Sequence, residues 1–229
     1  MIRISSFNIK NDYNNYNLNK TKEIYNYLTN NNIDVLCLQE VYSKLDIDLR
    51  KLLKNNYNYN GNYRFPLMLN IINEKNPIIT KYPVLFNKTY HMPHLPSLLN
   101  RIVSLNIIKY KNYKISIYNT HLDYKYESVK LRQLKYLYKL IEKDNNLIIL
   151  MGDFNLKNNK EIFNKFCYLL EKRGIKRVEF NDRTFKESRY HREIDHIFIS
   201  NEFKVIKFEI IKNLDISDHY PIMVDIELK

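Results

Sequence analysis

The sequence predicts a mixed α/β fold, because two kinds of regular pattern alternate along it. Short apolar runs with a strand-like pattern occur from the first residues to the last. Four segments between them have the spacing of amphipathic helices; in the third, Leu134, Leu137 and Ile141 recur at intervals of three and four. Early strands alternate with helices, whereas the middle and the end of the chain have hairpin-like strand pairs. A mixed sheet covered by helices fits this order.

The elements are predicted in the following order. Strands are expected at residues 2–9, 33–39, 68–72, 77–80, 101–109, 114–120, 147–151, 195–199, 203–211 and 220–228. Helices are expected at residues 19–29, 44–54, 127–143 and 160–172. No internal repeat and no linker rich in Pro, Gly or Ser interrupts the series, so we expect one domain over residues 1–229.

The composition is that of a globular chain. Of the 229 residues, 45% are hydrophobic, which is ample for a sizeable core and excludes a disordered chain. No run approaches the 18 or so apolar residues of a transmembrane helix, and the strand-like start lacks the apolar region of a secretory signal. Cys37 and Cys167, both in apolar stretches, predict reduced core thiols. We therefore expect a cytoplasmic monomer.

The formal net charge of +12 favours a polyanionic partner such as nucleic acid or an acidic membrane surface. The chain is also rich in Asn, Lys, Ile and Tyr and has no Ala at all. These favoured residues share A/T-rich codons, so genome bias alone could supply much of the lysine. The charge is therefore weak support for a nucleic-acid partner.

Six compact polar clusters stand where apolar runs begin or end. They are SFN (6–8), LQE (38–40), NTHLD (119–123), GDFN (152–155), IDH (194–196) and SDHYP (217–221). Carboxylates, amides and imidazoles at strand ends can converge on one rim of a sheet, where hard oxygen donors suit Mg²⁺ or Mn²⁺ and a substrate phosphate completes the coordination. The sequence has no ligand spacing for structural zinc, no phosphate-binding P-loop and no GxSxG elbow.

In this order, the six clusters resemble those of the endonuclease/exonuclease/phosphatase superfamily of metal-dependent phosphoesterases, over residues 8–221. Segment 77–83, PIITKYP, is similar to the superfamily's A-I-L-S-[KR]-[FY]-P strand, with Pro77 as a departure. Glu193 also departs, since members often have a basic residue immediately before I-D. The resemblance implies a four-layer α/β/β/α sandwich of two mixed sheets with outer helices.

The resemblance also implies the metal and the nucleophile. Glu40 would be the principal ligand of Mg²⁺ or Mn²⁺, helped by Asn8 and Asp218. Asp153 would orient and deprotonate the attacking water, and Asn155 would hold that water or a phosphate oxygen. In-line phosphoryl transfer needs such a base together with charge neutralisation.

Two histidines complete the implied set. His219 would stabilise charge on the phosphoryl oxygens or protonate the leaving group, and Asp195 would fix its tautomer and keep it cationic. His121 would be a second donor to the phosphate. Substrate contacts are expected from Asn119, Arg101 and Arg192.

Taken singly, each of these residues has a structural interpretation: a strand-capping carboxylate, a turn asparagine or a buried histidine. All six clusters together favour an active phosphoesterase. The T-H-L form at residues 120–122, followed by LRQL, resembles the branch of deoxyribonucleases, deadenylases, sphingomyelinases and tyrosyl-DNA phosphodiesterases. We therefore expect a nuclease or related nucleic-acid phosphodiesterase. The alternatives are a phosphatase or phosphodiesterase of lipid headgroups or small phosphate esters, and a catalytically silent binding module.

Overall fold

The computed structural model describes residues 1–10, 18–64, 73–97, 100–186 and 193–229. The strands are β1 (Ile2–Asn8), β2 (Val35–Gln39), β3 (Val41–Tyr42), β4 (Asn58–Asn60), β5 (Glu74–Lys75), β6 (Ile78–Thr80), β7 (Val84–His91), β8 (Ile102–Tyr110), β9 (Tyr113–His121), β10 (Leu147–Asp153), β11 (Ile175–Val178), β12 (Asp195–Ser200), β13 (Phe203–Ile210) and β14 (Ile222–Leu228). The helices are α1 (Leu18–Asn30), α2 (Ser43–Leu53), α3 (Glu127–Glu142) and α4 (Glu161–Lys172). The strand predicted at 68–72 lies outside the described residues.

The strands form two six-stranded mixed sheets and a small two-stranded one. The first sheet has the order β13-β14-β1-β2-β6-β4, the second has the order β11-β12-β10-β9-β8-β7, and β3 pairs with β5. Within the first sheet β1 and β2 run parallel, and within the second β9 and β10 do. The carboxyl ends of β1 and β2 therefore lie at the same edge of the first sheet, and those of β9 and β10 lie at the same edge of the second.

The two sheets pack face to face, with β1 against β10 and β2 against β9. Strand β2 illustrates the layering, since Val35 and Cys37 join the core between the sheets while Leu36 and Leu38 pack towards α1 and α2. Strand β10 alternates in the same way between that central core and the core under α3 and α4. This alternation buries both faces of the central strands of each sheet. The predicted α/β class and its four layers are confirmed.

Of the two cysteines predicted to lie in the core, only Cys37 is fully buried. Cys37 is buried and Cys167 is half-buried, and both are free thiols. Burial raises the pKa of Cys37 well above its usual value, so that thiol stays protonated and inert. Among the described residues, no helix is long and apolar enough to cross a membrane.

Gly152 allows the close approach of β10 to β9 beside the polar cluster at residues 152–155. A Cβ at this position would lie 1.9 Å from the Thr120 carbonyl oxygen, and the backbone φ is +149°. We expect Gly152→Ala to lower the free energy of unfolding by about 3 kcal/mol, measured by urea denaturation. Gly174→Ala is the matched control, because its φ is +70° but the nearest atom to its Cβ would be a side-chain nitrogen 3.6 Å away. Equal losses for the two variants would contradict the steric explanation.

Candidate active site

Strands β9, β10 and β12 bring three polar side chains into one row. In the sheet register His121 pairs with Asp153, and Asp153 pairs with Asp195 on its other side. Residues opposite one another on neighbouring strands point to the same face. An imidazole and two carboxylates from distant parts of the sequence therefore lie side by side, and all three are buried.

The other sheet meets this row through Asn8 and Glu40. Asn8 ends β1, Glu40 directly follows β2, and the register places Asn8 beside Gln39. The Asn8 Nδ2 group donates to Asp153 Oδ2 at 3.0 Å and to Glu40 Oε1 at 3.2 Å. Glu40 has a left-handed φ of +60°, which costs a non-glycine residue about 1–3 kcal/mol and is typical of functional sites.

His219 enters the site from the segment before β14 and is paired with Asp195. Its Nδ1 donates to Asp195 Oδ2 at 2.8 Å, and its Nε2 lies 3.8 Å from Asp153 Oδ2. Thr184 Oγ1 accepts the backbone N–H groups of Ile194 and Asp195, which fixes the start of β12. Burial disfavours charge on the ring, but the Asp195 carboxylate outweighs it and raises the pKa of His219 to about 10. The ring is therefore an imidazolium at neutral pH.

The environment of Asp153 raises the pKa of its carboxyl group. Burial raises its pKa to about 6, with the neighbouring Asp195 carboxylate adding to the rise and the His219 charge opposing it. Its Oδ1 accepts the Asn155 backbone N–H at 2.8 Å, which orients the carboxylate. A carboxylate with a pKa near neutrality can accept a proton from water in a reaction at pH 7.

His121 lies between this base and Glu40. Its Nε2 is 3.5 Å from Asp153 Oδ2 and 3.8 Å from Glu40 Oε1. Its Nδ1 faces Arg101 Nη1 at 3.0 Å. Burial and the neighbouring Arg101 charge hold the pKa of His121 well below its usual value. The two histidines of the site therefore have opposite electrostatic environments.

The donor set suits a divalent cation between Glu40 and Asp153. Burial, the Glu74 carboxylate and Asp153 raise the pKa of Glu40, whereas the Asn8 hydrogen bond and the Arg101 charge lower it. Among the described residues, no lysine or arginine forms an ion pair with Glu40. The amide hydrogens of Asn8 occupy the space between the two carboxylates, where positive charge is needed. Hard oxygen donors with uncompensated charge are what Mg²⁺ and Mn²⁺ prefer.

A second acidic group in the site is less suited to a metal. Ligand atoms of Asp153, Asp195 and His219 lie within 4.8 Å of one another. An imidazolium that donates to a carboxylate has no lone pair for a metal ion. While it is charged, His219 therefore cannot join Asp153 and Asp195 as a ligand.

Three of the predicted site residues have a different place from the expected one. Asn119 is buried between the sheets, where Nδ2 donates to the carbonyls of Leu38 and Pro77 and Oδ1 accepts from Gln39. These bonds use its amide to join the two sheets. The substrate contact of Asn119 stays a prediction, which this buried position does not favour.

Arg101 and Asp218 are likewise paired within the protein. Arg101 is 4% exposed and donates to Glu74 and His121. It therefore lies behind His121, at a position that does not favour the predicted contact with substrate. Asp218 Oδ2 lies 2.8 Å from Lys10 Nζ, so a lysine compensates its charge where a metal ion was expected. Arg192 lies outside the described residues.

Asn155 and Lys130 are joined by a hydrogen bond next to the end of β10. Asn155 has a left-handed φ of +49°, so the chain turns directly after Asp153. Its Nδ2 donates to the Leu122 carbonyl at 3.1 Å. Lys130, on α3, is buried and its Nζ donates to the Asn155 carbonyl at 3.0 Å. Its position four residues before Leu134, on the apolar face, was the signal for this burial.

The comparisons with known proteins agree with this geometry. The profile of the Endonuclease/Exonuclease/phosphatase family matches residues 5–219. No curated protein sequence matches the chain. Among solved structures, the endonuclease/exonuclease/phosphatase from Bacteroides vulgatus is similar at 21% identity and a TM-score of 0.85, covering 100% of this chain and 99% of that one.

Two further structures share the fold at lower identity. The mannosyl-6-phosphatase of Bacteroides thetaiotaomicron has 18% identity and a TM-score of 0.81, with 100% of both chains covered. TDP2 of D. rerio, complexed with single strand DNA product, has 17% identity and a TM-score of 0.78, covering 99% of this chain and 98% of that chain. The family match over most of the sequence shows that this chain is a member of the Endonuclease/Exonuclease/phosphatase family of phosphoester hydrolases.

Proposed function

We propose that this chain is a Mg²⁺- or Mn²⁺-dependent phosphodiesterase that hydrolyses nucleic acid or a nucleic-acid-linked phosphodiester by in-line attack of water. The observation that carries the proposal is the position of Asp153. It is a buried carboxylate with a raised pKa, and it lies within 3.8 Å of Asn8, His121 and His219, beside Glu40. A base, two imidazoles and an uncompensated carboxylate at one point are the parts that phosphoryl transfer needs.

In this mechanism Asp153 accepts a proton from the attacking water as the new P–O bond forms. Asn155 holds Asp153 through its backbone N–H, and its side-chain carbonyl is available to the water or a phosphate oxygen. The His219 imidazolium neutralises charge on the phosphoryl oxygens or gives its Nε2 proton to the leaving oxygen as the old P–O bond breaks. A divalent cation held by Glu40 would supply further positive charge at the phosphate. Asn8 would join it as a ligand only with its amide turned over, because in the structure its Nδ2 faces the carboxylates and its Oδ1 accepts the Lys10 backbone N–H.

Removal of the metal is the direct test of this proposal. We expect EDTA to lower the turnover of a phosphodiester substrate by about 100-fold or more, and Mg²⁺ or Mn²⁺ to restore it, because several kcal/mol of transition-state stabilisation depend on the cation. Glu40→Gln should also weaken Mn²⁺ binding measured by calorimetry. Glu161→Gln is the matched control, because the Glu161 side chain is 80% exposed on the surface. Full turnover in metal-free buffer would contradict the proposal.

Nucleic acid as the substrate is supported by charge at the site as well as over the chain. Lys10 follows Asn8 by two residues and has a half-exposed side chain that also pairs with Asp218, and the net charge of the chain is +12. If these cations contact phosphates, log KM for single-stranded DNA or RNA should rise linearly with log salt, with a slope of about 0.7 per phosphate contacted. Turnover measured from 50 to 300 mM KCl checks this. A flat salt profile would leave codon bias as the explanation of the charge.

A small phosphate ester is the second candidate, because the chain matches the full length of the mannosyl-6-phosphatase structure. A panel of plasmid, single-stranded DNA, RNA, sphingomyelin, phosphoinositides, mannose 6-phosphate and p-nitrophenyl phosphodiesters separates the candidates. We expect the highest kcat/KM for a nucleic acid. A preference for the sugar phosphate would replace the leading proposal while leaving the chemistry of the site unchanged.

A further inference from the structure

We propose that Arg101 is a positioning residue that fixes His121 in one tautomer, with the ring proton on Nε2 facing the reaction centre. Arg101 Nη1 lies 3.0 Å from His121 Nδ1, and both side chains are almost completely buried. The inference deepens the proposed function, on which its catalytic consequence rests. It assigns Arg101 an effect on the reaction that acts through His121, because Arg101 is buried and donates to Glu74 and His121.

The direction of this hydrogen bond follows from the chemistry of the guanidinium. Arginine has five N–H donors and no acceptor, so Nδ1 of His121 must be the acceptor. The two hydrogens of Nη1 are both used, one by His121 Nδ1 and the other by Glu74 Oε1 at 2.8 Å. A ring whose Nδ1 accepts a hydrogen bond has its single proton on Nε2.

The Nε2 proton then points into the site. Nε2 lies 3.5 Å from Asp153 Oδ2 and 3.8 Å from Glu40 Oε1. A neutral ring in this tautomer is a donor to any oxygen bound between those carboxylates, and it cannot take a proton from the nucleophile. The opposite tautomer would aim a lone pair at two carboxylates and at the phosphate.

The carboxylate of Glu74 offsets the cost of burying the Arg101 charge. Arg64 Nη1 pairs with the same Glu74 oxygen at 3.1 Å, and Tyr42 donates to the other oxygen at 3.2 Å. Either arginine alone can neutralise Glu74, so one of them is in excess for a purely structural ion pair. The arginine that also reaches His121 is Arg101. This asymmetry points to a role in orienting the imidazole.

Arg101→Met tests the inference, because the variant keeps a long side chain without donors while Arg64 still neutralises Glu74. The probe is the pair of ring ¹⁵N shifts of His121, with the signal assigned by its loss in His121→Gln. We expect the Nε2–H pattern in the wild type and a loss of that single tautomer in Arg101→Met. The kcat should fall about 10- to 100-fold with KM little changed, as when other groups that orient a reacting side chain are removed. Arg101→Lys, which keeps a donor group, should partly restore both the single tautomer and kcat.

Arg64→Met is the matched control, because it removes a buried guanidinium from the same Glu74 oxygen and leaves the Arg101–His121 hydrogen bond in place. We expect it to lower stability about as much as Arg101→Met but to leave the tautomer unchanged. An Nδ1–H tautomer in the wild type, or an unchanged tautomer in Arg101→Met, would overturn the inference. If the wild type hydrolyses no ester of the panel but shows the expected tautomers, the proposed function fails and the positioning by Arg101 stands.

Discussion

Replacing Asp153 by Asn is expected to lower kcat by about 10³- to 10⁴-fold while substrate binding persists. The amide keeps the size of the side chain, and its single accepting oxygen can still take the N–H of the Asn155 backbone or that of Asn8, but not both. It cannot accept the proton of the attacking water, because an amide has no basic oxygen at neutral pH. Binding should stay the same or tighten slightly, since one carboxylate near the phosphate is lost.

The measurement is single-turnover hydrolysis beside equilibrium binding at a fixed Mg²⁺ concentration. Asp215→Asn is the matched control, because it makes the same chemical change at a side chain that is 99% exposed. We expect the control to keep its activity within about twofold, as surface substitutions away from a site usually do. A turnover defect of Asp153→Asn below about tenfold would remove the base from the mechanism. If the wild type turns over none of the panel and its binding is unchanged by the substitution, the silent binding module is the better description.

The elements predicted from sequence are those with a strong period, and their bounds agree within a few residues. All four helices and nine of the ten predicted strands fall on elements of the described chain, and the tenth, at 68–72, lies outside it. Strand β7 was missed because it is an edge strand with an almost wholly exposed pattern, so no buried face leaves a signal in its sequence. The strands β3, β4 and β5 have two or three residues each, too short for any period.

Site residues were predictable from sequence where they end a strand. They were less predictable where their role depends on a partner from a distant part of the chain. His121, Asp153 and Asp195 came together because their strands are neighbours in one register. The contacts of Arg101 and Asn119 could not be predicted from the sequence, because their partners lie on other elements. Arg101 reaches Glu74, whose short strand left no pattern, and Asn119 joins two sheets whose face-to-face packing no local motif encodes.

A second large effect is expected at Asp195, whose replacement by Asn should lower kcat by about 10³- to 10⁴-fold with the fold retained. A similar loss is known for other His–carboxylate pairs in which the carboxylate orients the ring. In the variant the His219 ring is still buried but no longer has its anion. Burial lowers the pKa of the ring, and Asp195 contributes most to raising it, ahead of Asp153 and Asp218. Without Asp195 the pKa of His219 should therefore fall, and a smaller fraction of the ring is charged to neutralise the phosphate.

The pH dependence of stability separates this electrostatic effect from a packing defect. The pKa of His219 is raised from 6.5 to about 10 in the folded protein, so the pair stabilises the fold fully below about pH 6.5. That contribution is lost as the pH rises through about 10. The free energy of unfolding of the wild type and of Asp195→Asn should be measured in urea from pH 6 to pH 10. The wild type should be the more stable by the largest margin at pH 6, and this difference should narrow towards pH 10. A packing defect would give a gap that does not depend on pH, and Asp195 would then act only as a structural residue.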